Sequence, residues 1–306
     1  MRFFRQCDFD SPPKISIVLL DWSVRESFHV LHYLARQVAR RSDYEVMLLE
    51  WHDRRSPAVD AIIERYAARG LPAPVDTWIA MDRLAEQYYH KHVMYNAGIL
   101  QARGPVVVIM DSDAILKTTF VQTVIDEFAA GGRLALHFEQ IRNFDRSMYP
   151  FDYPMIDELT GPGCANAVDG VPNGFQTCAK SLAKDWNLWH VYNYGACFSA
   201  RRDDLIAIGG ADEHDDYLGH VCGPYEMTAR LINAGAADRL HETHFLYHAY
   251  HPSQGGDGNY MGPNNGRGMS TTAMAIPRTR RILPLKENDA IRAMRLAGSG
   301  QGRSQR

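Results

Sequence analysis

Asp111 and Asp113 stand one residue apart at the end of an apolar run, Pro105-Val-Val-Val-Ile-Met110. Like charges that close repel and raise each other's pKa unless a cation lies between them. Three readings follow. Hard carboxylate oxygens suit Mg²⁺ or Mn²⁺, and such an ion would neutralise a nucleotide diphosphate. Alternatively Asp111 is a nucleophile that becomes phosphorylated and Asp113 an acid. The third reading is structural: acidic residues closing a strand before a capped helix.

A second concentration of chemistry lies downstream. His241, His244, His248 and His251 fall within eleven residues, with His220 further back, out of thirteen histidines in all. If 244–248 is extended, His244 and His248 share a face by the two-residue period of a strand. His251 precedes Pro252 and reads as a turn.

The elements that would position these groups follow from hydrophobic spacing. Strands are expected at 14–20, 45–50, 75–80, 105–111 and 133–138, and helices at 24–40, 57–69, 83–102 and 118–130. This alternation predicts a mostly parallel sheet with helices on both faces, whose ligands bind outside the carboxyl ends of the strands. Asp111 and Asp113 sit at such an end, as do Asp21-Trp22 and Glu50-Trp51. The resulting rim is acidic and aromatic, suited to a base and ribose with a metal beside them. Each tryptophan reads equally as a core plug. From 140 to 192 prolines and glycines break the pattern, and a loop of that length in a compact domain is usually functional. Regularity returns at 195–199, in a helix at 202–208 and in another at 224–235.

Composition bounds the function. The chain has 306 residues, 45% hydrophobic and 23% charged, with a formal net charge of -3. That balance gives no case for nucleic acid as partner. The apolar runs at 15–20 and 105–110 are far short of a bilayer span. Five cysteines without a Cys-x-x-Cys pair read as reduced thiols, so a cytoplasmic location is expected.

Three segments carry a resemblance. Ile15–Asp21 ends in a polar turn; Lys91-His-Val-Met-Tyr-Asn-Ala-Gly98 leads through Gly104 into Val106–Asp113; Tyr194-Gly-Ala-Cys-Phe-Ser199 continues to Gly209-Gly-Ala-Asp-Glu213. Together they resemble the family-two glycosyltransferases with the GT-A nucleotide-sugar fold, over roughly residues 14–250. The resemblance implies an α/β single domain, 1–251, with a nucleotide-binding half at 14–139 and an acceptor and sugar half at 140–251. A Gly/Arg-rich tail at 252–306 is expected to be partly mobile. Haloacid-dehalogenase-type phosphatases match less well, because Ile115 stands where they prefer Thr or Val.

Through the resemblance, Asp21, Trp22, Glu50 and Trp51 would touch the nucleoside, although the family usually has Asp at the Glu50 position. Asp111, Ser112 and Asp113 would face ribose, diphosphate and metal, and Gly195 would lie at the sugar. Asn96 would pin its helix or contact the donor. His248 or His251 would join Asp111 and Asp113 around Mn²⁺ or Mg²⁺. Gly223-Pro-Tyr-Glu226 replaces the acidic pair that usually opens the last helix. Glu226 is therefore the first choice for the general base, against an intrahelical pair with Arg230, with Asp215 and Asp216 as alternatives. The implied activity is transfer from a nucleotide-diphosphate sugar to the hydroxyl of a saccharide or lipid-linked acceptor, in surface polysaccharide or glycolipid assembly. The rivals are phosphatase chemistry at Asp111 and an inactive nucleotide-sugar-binding module. Arg278, Arg280, Arg281, Lys286, Arg292 and Arg295 would let the tail meet an anionic membrane surface.

Overall fold

A computed structural model describes residues 1–21, 28–138, 140–142, 146–150, 153–156, 167–168, 171–172, 197–219, 225–241, 243–249, 262–263 and 270–301. Eight strands form the main sheet. They are β1 (Arg2–Gln6), β2 (Ile15–Asp21), β3 (Tyr44–His52), β4 (Thr77–Arg83), β5 (Val106–Asp111), β6 (Leu134–His137), β10 (Cys197–Arg201) and β11 (Ala237–Leu240). Two short pairs complete the strands: β7 (Gln140–Arg142) with β12 (Leu246–His248), and β8 (Ala167–Val168) with β9 (Val171–Pro172). The helices are α1 (Val30–Leu34), α2 (Pro57–Ala67), α3 (Lys91–Gln101), α4 (Phe120–Ala129), α5 (Arg202–Ala207), α6 (Tyr225–Asn233), α7 (Thr271–Thr279) and α8 (Asp289–Gln301).

The strand order is β1-β4-β3-β2-β5-β10-β6-β11. β4, β3, β2 and β5 run parallel, as the alternating pattern predicts. β10 enters antiparallel between β5 and β6, and β1 adds an antiparallel edge. Alternation along the strands divides the core. Ile15, Ile17, Leu19, Val106, Val108 and Met110 face α1, α2 and α4 on one side. Val18, Met47, Leu49, Val107 and Ile109 face α3, α5 and α6 on the other. Strands apolar on both faces are what a sheet covered by helices requires.

Helix α3 lies against the sheet so closely that a Cβ on Gly98 would come within 2.6 Å of Val18 Cγ1. The expected 83–102 helix is shorter than its spacing suggested, because β4 runs on to Arg83 and the helix starts only at Lys91. The helix expected at 24–40 is described only as Val30–Leu34. Val38, within the expected range, is 63% exposed, since the helix has already ended.

Of the expected tail, residues 262–263 and 270–301 are described, and 252–261, 264–269 and 302–306 lie outside the described residues. The described part contains α7 and α8, with Ile291 fully buried in the α3-side core. Asp212 explains the docking: its carboxylate accepts the backbone N–H groups of Leu285 and Lys286 at 3.1 and 3.0 Å, and that of His214 at 3.0 Å.

Candidate donor-binding rim

Strand register brings the acidic rim together. Asp21 pairs with Glu50 across β2 and β3, and Leu20 pairs with Asp111 across β2 and β5. Three carboxylates therefore end three adjacent strands at one height. Asp21 and Glu50 are buried, whereas the Asp111 side chain is one-third exposed. Lys91, the first residue of α3, brings its Nζ to 3.6 Å from Asp111 Oδ1. The helix start places this ammonium on the rim because α3 runs back from the carboxyl end of β4.

Asp113 sits in the turn just beyond β5 and is buried. The chain then makes a two-way backbone bridge from Ile115 to Tyr247, with N···O distances of 2.7 and 3.0 Å. That bridge carries the next residue, His248, to Asp113, and its Nε2 lies 3.1 Å from Asp113 Oδ2. His29, just ahead of α1, donates from Nε2 to the Asp113 carbonyl at 2.5 Å. The Asp113 turn is thus held from both sides. A carboxylate oxygen and an imidazole nitrogen about 3 Å apart have the spacing of neighbouring ligands on an ion with bonds of about 2.1 Å. Among the described residues, no group of three or more His, Cys, Asp or Glu side chains is gathered tightly enough to hold a metal by itself. The donor chemistry fits Mn²⁺ or Mg²⁺, with the remaining positions left to ligand oxygens.

The other histidines part from His248. His244 does not share its face, because the strand starts only at Leu246. Its ring packs near Phe120 and Phe138 instead, with Nδ1 3.4 Å from Thr123 Oγ1. Burial, with Lys117 and His241 nearby, lowers its pKa to about 4. His241 stacks on Phe138 and approaches Glu127. Trp22, Gly195, His220 and His251 lie outside the described residues, as does most of 140–192.

Trp51 is buried, its Nε1 donating to the Gln87 carbonyl at 3.3 Å and its ring edge-on to Tyr89. This is the core-plug arrangement. Asn96 is fully buried and ties α3 to the Gly-Gly-Ala-Asp-Glu turn. Its Oδ1 accepts from Ala211 N at 2.7 Å, and its Nδ2 donates to the Ala211 carbonyl at 2.8 Å and to Glu213 Oε1 at 2.9 Å. Gly210 passes this amide at φ +68°, where a side chain would be both strained and in contact with Asn96. Asn96 pins the fold and is not aimed at a ligand.

Glu226 is a correction. It is fully buried, with Oε2 2.6 Å from Arg230 Nε and Oε1 accepting from Asp212 N at 3.0 Å. Burial pushes its carboxyl pKa up, against the pull of Arg230. Arg230 spends its other donors on the carbonyls of Ile208 and Gly210. A carboxylate enclosed this way cannot reach an acceptor hydroxyl; the intrahelical pair is its role. Asp215 and Asp216 lie in the loop that leads to Gly219, which pairs with His90 beside Lys91. Asp215 is 78% exposed and 3.6 Å from Lys286 Nζ. Asp216 accepts from Thr272 Oγ1 at 2.6 Å and lies 3.3 Å from His214 Nδ1.

Lys91 and His29 are the rim residues that sequence reasoning did not assign. A lone lysine opening an apolar helix, placed just upstream of the Asp-x-Asp strand, is the signal that was there for the first.

No family model matches the chain, and no curated protein matches it. Solved structures do. The chain is similar to Staphylococcus aureus TarS, residues 1–349, in complex with UDP-GlcNAc, at 14% identity and a TM-score of 0.57, covering 92% of this chain and 71% of that one. Against a longer TarS structure the TM-score is 0.52 at 14% identity, over 78% of this chain but only 37% of that one. The mannosyltransferase PcManGT from Pyrobaculum calidifontis, in complex with GDP-Man and Mn²⁺, gives 0.50 at 14% identity, over 83% and 62% of the two chains. The mixed eight-stranded sheet, with its helices on both faces and its acidic rim at the parallel strands' ends, is a GT-A fold.

Proposed function

We propose that the chain is a metal-dependent glycosyltransferase that moves a sugar from a nucleotide-diphosphate donor to an acceptor hydroxyl. The observation that carries this reading is the Asp113–His248 pair, bridged into place beside Asp111 at the end of β5. The similarity to structures that hold UDP-GlcNAc, or GDP-Man with Mn²⁺, supports it.

In this reading Asp113 and His248 hold the ion, with Asp111 beside them. A divalent ion there supplies Lewis-acid stabilisation of the departing diphosphate. Lys91 adds a fixed ammonium, largely withdrawn from solvent, where phosphate charge would gather. Asp21 and Glu50 face the nucleoside. The acceptor's proton goes to Asp216 in preference to Asp215, because Thr272 Oγ1 donates to the Asp216 carboxylate and orients it, whereas Asp215 is largely exposed. A saccharide or lipid-linked acceptor and a role in surface polysaccharide or glycolipid assembly remain part of this proposal.

The same reading puts the enzyme in the cytoplasm, with the C-terminal arginines touching an anionic membrane. Among the described residues no helix is long and apolar enough to cross one. Arg295 is committed to Glu287 through two 2.8 Å bonds, so Arg278, Arg280, Arg281 and Arg292 are left for lipid headgroups.

Thermal unfolding in the presence of UDP- and GDP-sugars, with and without Mn²⁺, tests the donor. One donor at a hundred times its dissociation constant adds about 2.7 kcal/mol, and that gain is expected to require the ion. No stabilisation by any nucleotide sugar removes the reading. Stabilisation without transfer or hydrolysis leaves an inactive sugar-nucleotide-binding module.

A further inference from the structure

A cavity of about 230 Å³ opens between α1 and α2, on the sheet face that carries α4. His32, Arg36, Arg65, Tyr66, Arg69 and Tyr153 line it, and Phe28, Ile62 and Leu71 add apolar surface. Among the described residues none that lines it is acidic. Arg36, Arg65 and Arg69 make no ion pair and no side-chain hydrogen bond among the described residues, and all three are exposed. Arginines nearby in the chain are engaged: Arg40 with Asp43, Arg41 with Asp76, Arg55 with Asp60.

Three guanidiniums converging on one hollow repel one another, and among the described residues no carboxylate offsets them. Basic residues do favour helix C-termini, and both α1 and α2 end at this cavity. The terminal carbonyls are nonetheless already taken. The Tyr66 carbonyl accepts from the backbone of Arg69 and Leu71, that of Glu64 from Ala68, and that of Tyr33 from Arg36 N and Gln37 Nε2. The guanidinium forks are left over, and planar forks match phosphate oxygens in pairs. The aromatic lining adds a second preference. His32 and Tyr153 pack with ring centroids 4.2 Å apart, and Tyr66 completes a wall suited to the apolar face of a sugar or polyol. Burial, with Arg36 and Arg65 beside it, lowers the His32 pKa to about 4. The ring is therefore neutral at pH 7, and the cavity's positive charge comes from the arginines.

We propose that this cavity is a binding site for a small phosphorylated saccharide or polyol, separate from the Asp111–Asp113 rim. Guanidiniums of Arg36, Arg65 and Arg69 hold the phosphate and the His32–Tyr153–Tyr66 wall holds the carbon skeleton. Helix α1 spans the two places: His29 at its start holds the Asp113 carbonyl, and Arg36 follows its end. The site does not depend on how the rim is read.

The test is calorimetry on the full chain with glucose 6-phosphate, inorganic phosphate and glucose at one fixed ionic strength, alongside the histidine ring signals in NMR. Glucose 6-phosphate is expected to bind more tightly than either inorganic phosphate or glucose and to shift the His32 ring. Arg36→Ala and Arg65→Ala are each expected to weaken it tenfold or more. Both residues are exposed, so melting should be unchanged; Arg36→Lys, which keeps the charge and loses the fork, serves if the alanine variant unfolds. Three results each overturn the proposal: no binding at millimolar concentration, binding no tighter than that of inorganic phosphate, or affinity untouched by the arginine variants. Mn²⁺-dependent stabilisation by nucleotide sugars is measured on the same variants and is expected to stay as in the wild type.

Discussion

Two acidic regions of this chain look alike in sequence and differ in structure. Around Glu226, every carboxylate oxygen is answered: Arg230 and the Asp212 amide take one side chain, and three backbone amides take Asp212. At the rim, Asp21, Glu50 and Asp111 end three adjacent strands, with Lys91 Nζ 3.6 Å from Asp111, and Asp113 just beyond lies 3.1 Å from His248 Nε2. The first region is a closed polar network, where the dominant cost is breaking it. The second gathers negative charge at a sheet edge and leaves room for a cation. A carboxylate's neighbours, more than its sequence motif, decide which kind it is.

The largest expected effect separates the two regions most sharply. Asp113→Ala is expected to reduce Mn²⁺-dependent transfer about 10³-fold, while unfolding free energy falls by no more than about 3 kcal/mol. Full activity in that variant would place the metal elsewhere. Glu226→Ala is expected to do the reverse. Leaving Arg230 buried and unpaired costs about 3–5 kcal/mol, read from urea unfolding, with donor affinity unchanged in the folded fraction. If that variant keeps its stability and loses transfer, Glu226 belongs to the chemistry and not to the closed network.

Smaller effects sharpen it. Asp216→Asn should slow transfer about 10²-fold with donor binding intact, and Asp215→Asn should not; the opposite ranking would move the base to the exposed neighbour. His248→Ala should raise the Mn²⁺ concentration for half-activity about tenfold, and His241→Ala should leave it unchanged. A separate effect is on pH. His90 and His244 have folded pKa values lowered to about 4 by burial, against about 6.5 in the unfolded chain. The unfolded state binds more protons between those values, so stability should fall as pH drops from 6.5 towards 4 and level off below. His244→Phe, which keeps the packing on Phe120 and Phe138, should flatten part of that slope in pH-dependent melting.

The parallel half of the sheet was legible because runs such as Ile15–Leu20 and Val106–Met110 need no partner to declare themselves. The insertion of β10 between β5 and β6 was not, since it depends on a pairing across some ninety residues of chain. The Asp-x-Asp strand was readable at once, but the role of Glu226 hung on whether Arg230, one turn away, would be buried with it. Lys91 opens the segment that leads to the Asp-x-Asp strand, but its reach to Asp111 depends on where α3 begins. The closing helices were obscured by Pro277 and by glycines that read as loop.

Asp212 has one more consequence, for the order of events during synthesis. Its carboxylate waits for amides supplied 73 and 74 positions later in the chain. Glu213, bonded to Asn96 behind it, also takes the side-chain amide of Asn288 at 2.8 Å. A nascent chain can pair β2, β3, β4 and β5 as soon as they leave the ribosome, but the turn that follows α5 cannot close then. Domains assemble from the N-terminal side during translation. Here the parallel half of the sheet can be in place while the turn opposite Asn96 still lacks its last partners, and that turn closes only in a chain that has cleared the ribosome past Asn288.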